Sequence, residues 1–124
     1  MQFHSYPVPV RLLLVGQSSL LRDSLTVFLA ATEHLQVIGQ VDSAVEHLFF
    51  IKASPPDVIL VDVDLPDGPN VPLVTALRTL FPSVPLVVLT ACTQSGPLQP
   101  LLALKLRGYL SKAGSSSQEL VNAL

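Results

Sequence analysis

The chain has 124 residues, 49% hydrophobic and only 13% charged, with seven basic and nine acidic side chains and a net charge of −2. That length implies one domain with its own core, and a mean hydropathy of +0.55 excludes intrinsic disorder. The charge balance excludes a basic nucleic-acid footprint within the chain, and the single cysteine, Cys92, excludes a disulfide framework. No apolar run approaches the roughly 18 residues of a membrane span and no N-terminal apolar segment reads as a signal peptide, so the expectation is a soluble cytoplasmic domain without a membrane partner.

Residues 1–9 (MQFHSYPVP) read as an irregular lead-in, with two prolines and no periodicity; the domain is expected over 10–124. Arg11 to Val15 is a short apolar run that stops at Gly16, as expected of a strand buried on both faces. From Ser18 or Ser19 to Ala31, Leu21, Leu25, Phe28 and Leu29 share one helical face, and either serine suits the N-cap. Leu35 to Val41 is a second strand. Asp42 or Ser43 then caps a helix carrying Val45, Leu48 and Phe49, which Pro55-Pro56 ends.

Val58 to Val61 is a third strand, closing in Asp62, and Pro66-Asp67-Gly68-Pro69-Asn70 is turn-rich. Val71, Val74, Leu77 and Phe81 mark the next helix, with Pro72 in its first turn. Val84 to Leu89 is the fourth strand, ending in Thr90. A leucine-rich helix follows around 97–105; Pro97 suits its first turn and Pro100 delays its start. Arg107 to Ser111 is a fifth strand, ending at Lys112. Ser116 and Glu119 have capping-box spacing and open a last helix that is still running at Leu124, so further protein is expected beyond it.

Five strands alternating with helices imply an α/β fold, a parallel sheet covered on both faces. Ligands of such sheets bind outside the carboxyl ends of the strands, where Asp62, Thr90 and Lys112 would converge. An aspartate closing a strand is by itself commonly a turn former; the joint arrangement says more.

On these residues the chain resembles the receiver domain of bacterial two-component response regulators, most closely the subgroup whose receivers precede a helix-turn-helix DNA-binding domain (LuxR/NarL/FixJ-like). The resemblance covers 10–124 and rests on Val58 to Pro66, on Val87 to Ala91 and on Gly108 to Lys112, with 28 residues from Asp62 to Thr90 and 22 from Thr90 to Lys112. The opening Arg11 to Val15 with Ser18 to Arg22 also fits. The resemblance implies a flavodoxin-like (CheY-like) doubly wound sheet of order 2-1-3-4-5. It implies that Asp62 stands at the phospho-acceptor position, a carboxylate nucleophile suited to acyl-phosphate chemistry. Lys112 stands at the phosphoryl-pairing position, Thr90 at the switch hydroxyl and Tyr109 at the coupled aromatic. A histidine kinase is the implied phosphodonor, and DNA is reached only through a C-terminal domain that this chain lacks.

One departure is decisive. The family places two adjacent acidic residues directly after the first strand to hold Mg²⁺ with the phospho-accepting aspartate. Here those positions are Gly16 and Gln17. Mg²⁺ is normally held by carboxylates together with phosphate oxygens, and phosphoryl transfer relies on it to neutralise charge. Metal binding is therefore expected to be weak if it occurs, and no cofactor is expected. Asp64, two residues after Asp62, points to the same side of the strand end and is the candidate compensating acid. Without metal, Lys112 and Asp62 would form a neutral pair.

The bland reading holds elsewhere. Cys92 is a buried or inert thiol with no basic neighbour; Asp67 is a turn residue. His34 and His47 are surface residues off metal-ligand spacing, and His4 is uninformative. Gly68, Gly96 and Gly114 form no phosphate-binding fingerprint. Leu98, Leu101, Leu102, Leu104 and Leu106 exceed what one helix face needs. An exposed leucine among them would mark an interface, so residues 98–124 are the expected homodimerisation or docking face. Three readings stand: an atypical receiver acting through dimerisation or partner binding, a working phospho-receiver, and a small flavodoxin-like cofactor carrier. The chain is not expected to be an enzyme.

Overall fold

The strands are set by apolar runs whose alternate residues feed two different cores. In the computed structural model, which describes residues 8–42, 47–48, 51, 53–92 and 95–124, β1 (Val10–Val15), β2 (Leu35–Val41), β3 (Val58–Asp62), β6 (Leu86–Thr90) and β7 (Gly108–Ser111) form one sheet. A hairpin of β4 (Asp64–Leu65) and β5 (Gly68–Pro69) lies between β3 and α2. The helices are α1 (Ser19–Ala30), α2 (Val71–Leu80), α3 (Ser95–Leu102) and α4 (Ser117–Ala123).

The sheet order is β2-β1-β3-β6-β7, with every pairing parallel. Counting only these five strands, this is the expected 2-1-3-4-5 order. The chain leaves β1 for β2 on one side and returns to β3 on the other, so the crevice lies at the carboxyl ends of β1 and β3.

Leu13, Val15, Ile59, Val61, Leu86 and Val88 face one core with Leu73, Val74 and Leu77 of α2, and with Leu48 and Leu101. Leu12, Leu14, Val58, Leu60, Val87 and Leu89 face the other with Leu29 of α1 and Leu120 of α4. Side chains alternating across a strand buried on both faces produce this division.

Both serine caps form. Ser18 Oγ accepts from Leu21 N–H at 3.1 Å. Ser116 and Glu119 close a reciprocal capping box. Asn70 caps α2, accepting from Leu73 N–H at 3.1 Å.

Several expectations are corrected. The fourth sheet strand starts at Leu86 rather than Val84, because Pro85 has no N–H to give the ladder; its carbonyl accepts from Ile59 instead. Helix α3 spans 95–102 rather than 97–105 and contains Pro100. It cannot reach Lys105, whose φ of 55° is left-handed. Phe28 is 39% exposed rather than packed. Leu101 is fully buried, while Leu98, Leu104 and Leu106 pack against the core; the side chain of Leu102 lies outside the described residues. The large exposed apolar side chains among the described residues include Leu20 and Val27 on α1, and not Leu98, Leu101, Leu104 or Leu106. Val45 and Phe49 of the helix expected after Asp42 lie outside the described residues. Among the described residues no helix is long and apolar enough to cross a membrane.

Candidate functional site

The carboxyl ends of β3, β6 and β7 bring Asp62, Asp64, Thr90 and Lys112 into one cluster. Lys112 Nζ lies 2.9 Å from Asp62 Oδ1 and 2.7 Å from Asp64 Oδ2. The expected neutral Lys112–Asp62 pair is thus a triad of two carboxylates and one ammonium. The backbone holds it: Lys112 N–H donates to the Thr90 carbonyl at 2.8 Å, and Asp64 N–H donates to Asp62 Oδ1 at 3.0 Å. The Asp62 side chain is only 12% exposed.

Asp64 is the hub. Thr90, itself buried, donates its hydroxyl to Asp64 Oδ1 at 2.6 Å, and the Ala91 N–H donates to Oδ2 at 2.8 Å. Thr90 Oγ1 in turn accepts from Cys92 N–H at 3.0 Å. The two bonds to the carboxylate are charge-assisted bonds of the short, strong kind. Burial works to raise the Asp64 carboxyl, but the bonds from Lys112, Thr90 and Ala91, with the Lys112 charge, outweigh it and hold the group below its ordinary value. Burial likewise works to lower Lys112, and its bonds to Asp64 and Asp62 outweigh it and hold the ammonium above its ordinary value.

What aims Asp64 is the hairpin. Its residues 64–65 pair antiparallel with 68–69, and the turn needs the φ of 131° that Gly68 supplies. Asn70 N–H then returns to the Val63 carbonyl at 2.7 Å. Asp67 is exposed in the turn, as expected.

The β1 side of the crevice is different. Gly16 is buried, and a Cβ built on it would lie 2.9 Å from Asp62 Cβ, closer than real contacts allow. Gln17 is exposed. Arg22, one turn into α1, donates Nη1 to the Gly16 carbonyl. A void of about 10 Å³ under α1, lined chiefly by Leu14, Leu21, Leu25, Leu60 and Leu89, abuts Gly16 and Asp62 and is close to the least that admits one water.

Mg²⁺ therefore does not fit the residues present. The β1 end offers no carboxylate, and the remaining two are bound to Lys112. Among the described residues no group of three or more His, Cys, Asp or Glu could hold a metal.

Tyr109 pairs in register with Val88, two residues before the Thr90–Ser111 pair. It packs against the α2-side core, and its hydroxyl is buried without a hydrogen-bond partner. Burial pushes the phenol above its ordinary value. His34 and His47 are exposed, with His47 Nδ1 2.9 Å from Asp42 Oδ1. Cys92 is partly buried. Sequence reasoning missed two contributors, Arg22 and the Ala91 N–H. It placed Asp64 at the right strand end but toward a metal rather than toward Thr90 and Lys112.

Comparison with known proteins agrees with this fold. Response regulator GacA of Pseudomonas viridiflava is 33% identical over 115 residues, which are 93% of this chain and 53% of that protein. The DNA-binding transcriptional activator DevR/DosR of Mycobacterium tuberculosis is 30% identical over 103 residues, 83% of this chain and 48% of that protein. The chain thus spans about half the length of these curated relatives. Among solved structures, the signal receiver domain of the response regulator NarL from Mycobacterium tuberculosis superposes with a TM-score of 0.77 at 26% identity, covering 94% of both chains. Residues 12–124 match the response regulator receiver domain family, and the chain belongs to it.

Proposed function

We propose that this receiver is atypical: a signalling module of a two-component response regulator that does not depend on Mg²⁺-assisted phosphorylation of Asp62. The observation that carries the reading is the state of the crevice. Its metal side holds a glycine packed against Asp62 Cβ, and its phosphoryl side is already engaged by Asp64. Both requirements for transfer, a metal and an open set of donors, are compromised together.

The second reading, a working receiver phosphorylated on Asp62 by a histidine kinase, is favoured by Asp62, Thr90 and Lys112 standing at the expected strand ends. It requires Asp64 to leave Lys112 and Thr90 before a phosphoryl group can enter. The cofactor-carrier reading loses its ground, since the family match covers nearly the whole chain.

In this reading the domain at 10–124 works in transcription regulation through a DNA-binding half outside the chain. One relative is a DNA-binding transcriptional activator, and it supports that extension. The output is dimerisation through residues 98–124 or docking of a partner there, and Leu20 and Val27 on α1 offer a competing apolar surface. Sedimentation of Leu20→Ser and Arg107→Glu variants, both at exposed positions, separates the two faces.

The test of the reading is intact-protein mass after incubation with acetyl phosphate, with and without Mg²⁺, beside Asp62→Ala. No adduct is expected in either condition. A stoichiometric adduct that needs Mg²⁺ and Asp62 overturns the reading and restores the phospho-receiver.

A further inference from the structure

The donors around Asp64 form an oxyanion cradle: a hydroxyl, a backbone N–H and an ammonium, from the end of β6, the loop after it and the residue after β7. All three converge on the two oxygens of one carboxylate at 2.6–2.8 Å. Such sets stabilise tetrahedral oxyanions when nothing resident fills them. We infer that the Asp64 carboxylate is a built-in occupant of an oxyanion site, holding Thr90 and the Ala91–Cys92 backbone in the anion-engaged arrangement with no ligand bound.

Three features of the structure support this. First, the carboxylate is delivered by a dedicated element, the 64–69 hairpin with Gly68 at its turn, and anchored by Asp64 N–H on Asp62 Oδ1. Second, its bonds use up the Thr90 hydroxyl proton, so Thr90 can donate to no incoming anion while Asp64 is in place. Third, the engagement runs on into the chain, because Thr90 Oγ1 also receives the Cys92 N–H. Asp64 is thus a positioning residue for the segment leading from β6 to α3. A tethered carboxylate competes intramolecularly with any free anion and excludes it.

The inference rests on the phosphate-independent reading above and gives it a mechanism: the switch segment is set by the chain itself. It predicts that removing the carboxylate uncovers a site for inorganic phosphate. The experiment uses ¹⁵N-labelled protein as wild type, as the isosteric Asp64→Asn and as the smaller Asp64→Ser, each titrated with inorganic phosphate to tens of millimolar. In both variants the Ala91 and Cys92 amides are expected to shift. In Asp64→Ser, whose shorter side chain leaves the Ala91 N–H without its acceptor, its exchange is expected to accelerate about tenfold or more, the loss of one bond to a charged group. Asp64→Ser is expected to bind phosphate saturably through the Ala91 amide, while wild type shows no such shift.

Unchanged Ala91 and Cys92 amides in folded variants, or equal phosphate binding by wild type, overturn the inference and leave the phosphate-independent reading standing. Acetyl phosphate labelling of the same wild-type sample separates the other failure. A Mg²⁺-dependent adduct on Asp62 defeats the reading itself and the inference with it.

Discussion

The two sides of one crevice have opposite characters. At the end of β1, Gly16 has no side chain, its carbonyl is tied to Arg22, and β1 and β3 approach too closely for a Cβ. At the ends of β3, β6 and β7, every functional group is charged or polar and already bonded within the cluster. The contrast teaches that Gly16 and Gln17, where the resemblance implies an acidic pair, go together with a second difference, the engaged carboxylates at the other strand ends. A receiver crevice with carboxylates on both sides needs a cation to hold them together; this one has closed its first side with packing and neutralised half the charge of its second with Lys112. One lysine against two carboxylates leaves a formal −1, and hydrogen bonds from Thr90 and Ala91 support that charge in place of a metal.

The sharpest way to break the comparison is to put a carboxylate back. Gly16→Asp forces a Cβ to 2.9 Å from Asp62 Cβ and a charge beside it. A loss of about 3 kcal/mol in urea unfolding is expected, from overpacking and an unpaired buried charge, with no gain in Mg²⁺ affinity. Tolerance without loss would mean the β1 and β3 ends are not closed against each other. Next in size is Lys112→Met, which leaves Asp62 and Asp64 facing each other. It is expected to cost about 2 kcal/mol, the lower range for breaking a partly exposed pair. Asp64→Asn in that background should recover about 1 kcal/mol, a coupling a double-mutant cycle measures; additive effects would mean the triad is not a unit.

The smallest effect is the pH dependence. Asp64 titrates below its ordinary 3.8 in the folded protein, so its stabilisation is present above that value and is lost as pH falls through the lowered folded value. Lys112 titrates above its ordinary 10.5, so its share is present below that and is lost as pH rises through the raised one. Thermal midpoints should form a plateau between these limits, and Asp64→Asn should flatten the acid limb while the alkaline limb persists in part through Asp62. An unchanged acid limb would contradict the assignment of Asp64 as the hub.

Much of this was legible in the residues. Apolar runs at 12–15 and 58–61 announce doubly buried strands, as does 84–89 with its start two residues early, and period-two alternation divides them between two cores. The caps at Ser18 and Ser116 follow from side-chain oxygens at the right spacing. The convergence of Asp62, Thr90 and Lys112 follows from each closing a strand. The aim of Asp64 was not legible, because it depends on a hairpin read from Pro66 to Asn70 only as a turn. The Asp67-Gly68 pair was the available signal. Helix α3 was misplaced because its two prolines marked a boundary that neither sets. The helix has already ended at Leu102, and the left-handed residue beyond it is Lys105, with no glycine to advertise the break. Arg22 was invisible because its partner is a backbone carbonyl, for which no residue type is diagnostic.

The central claim is that the crevice has no place for a metal because one side is closed and the other already engaged. Mn²⁺ titration of ¹⁵N-labelled protein tests it most directly, since a bound paramagnetic ion broadens the amides around it. The account predicts no selective broadening of Asp62, Val63, Asp64 or Gln17 as Mn²⁺ rises into the millimolar range. Saturable broadening confined to those amides and reversed by Mg²⁺ would contradict it.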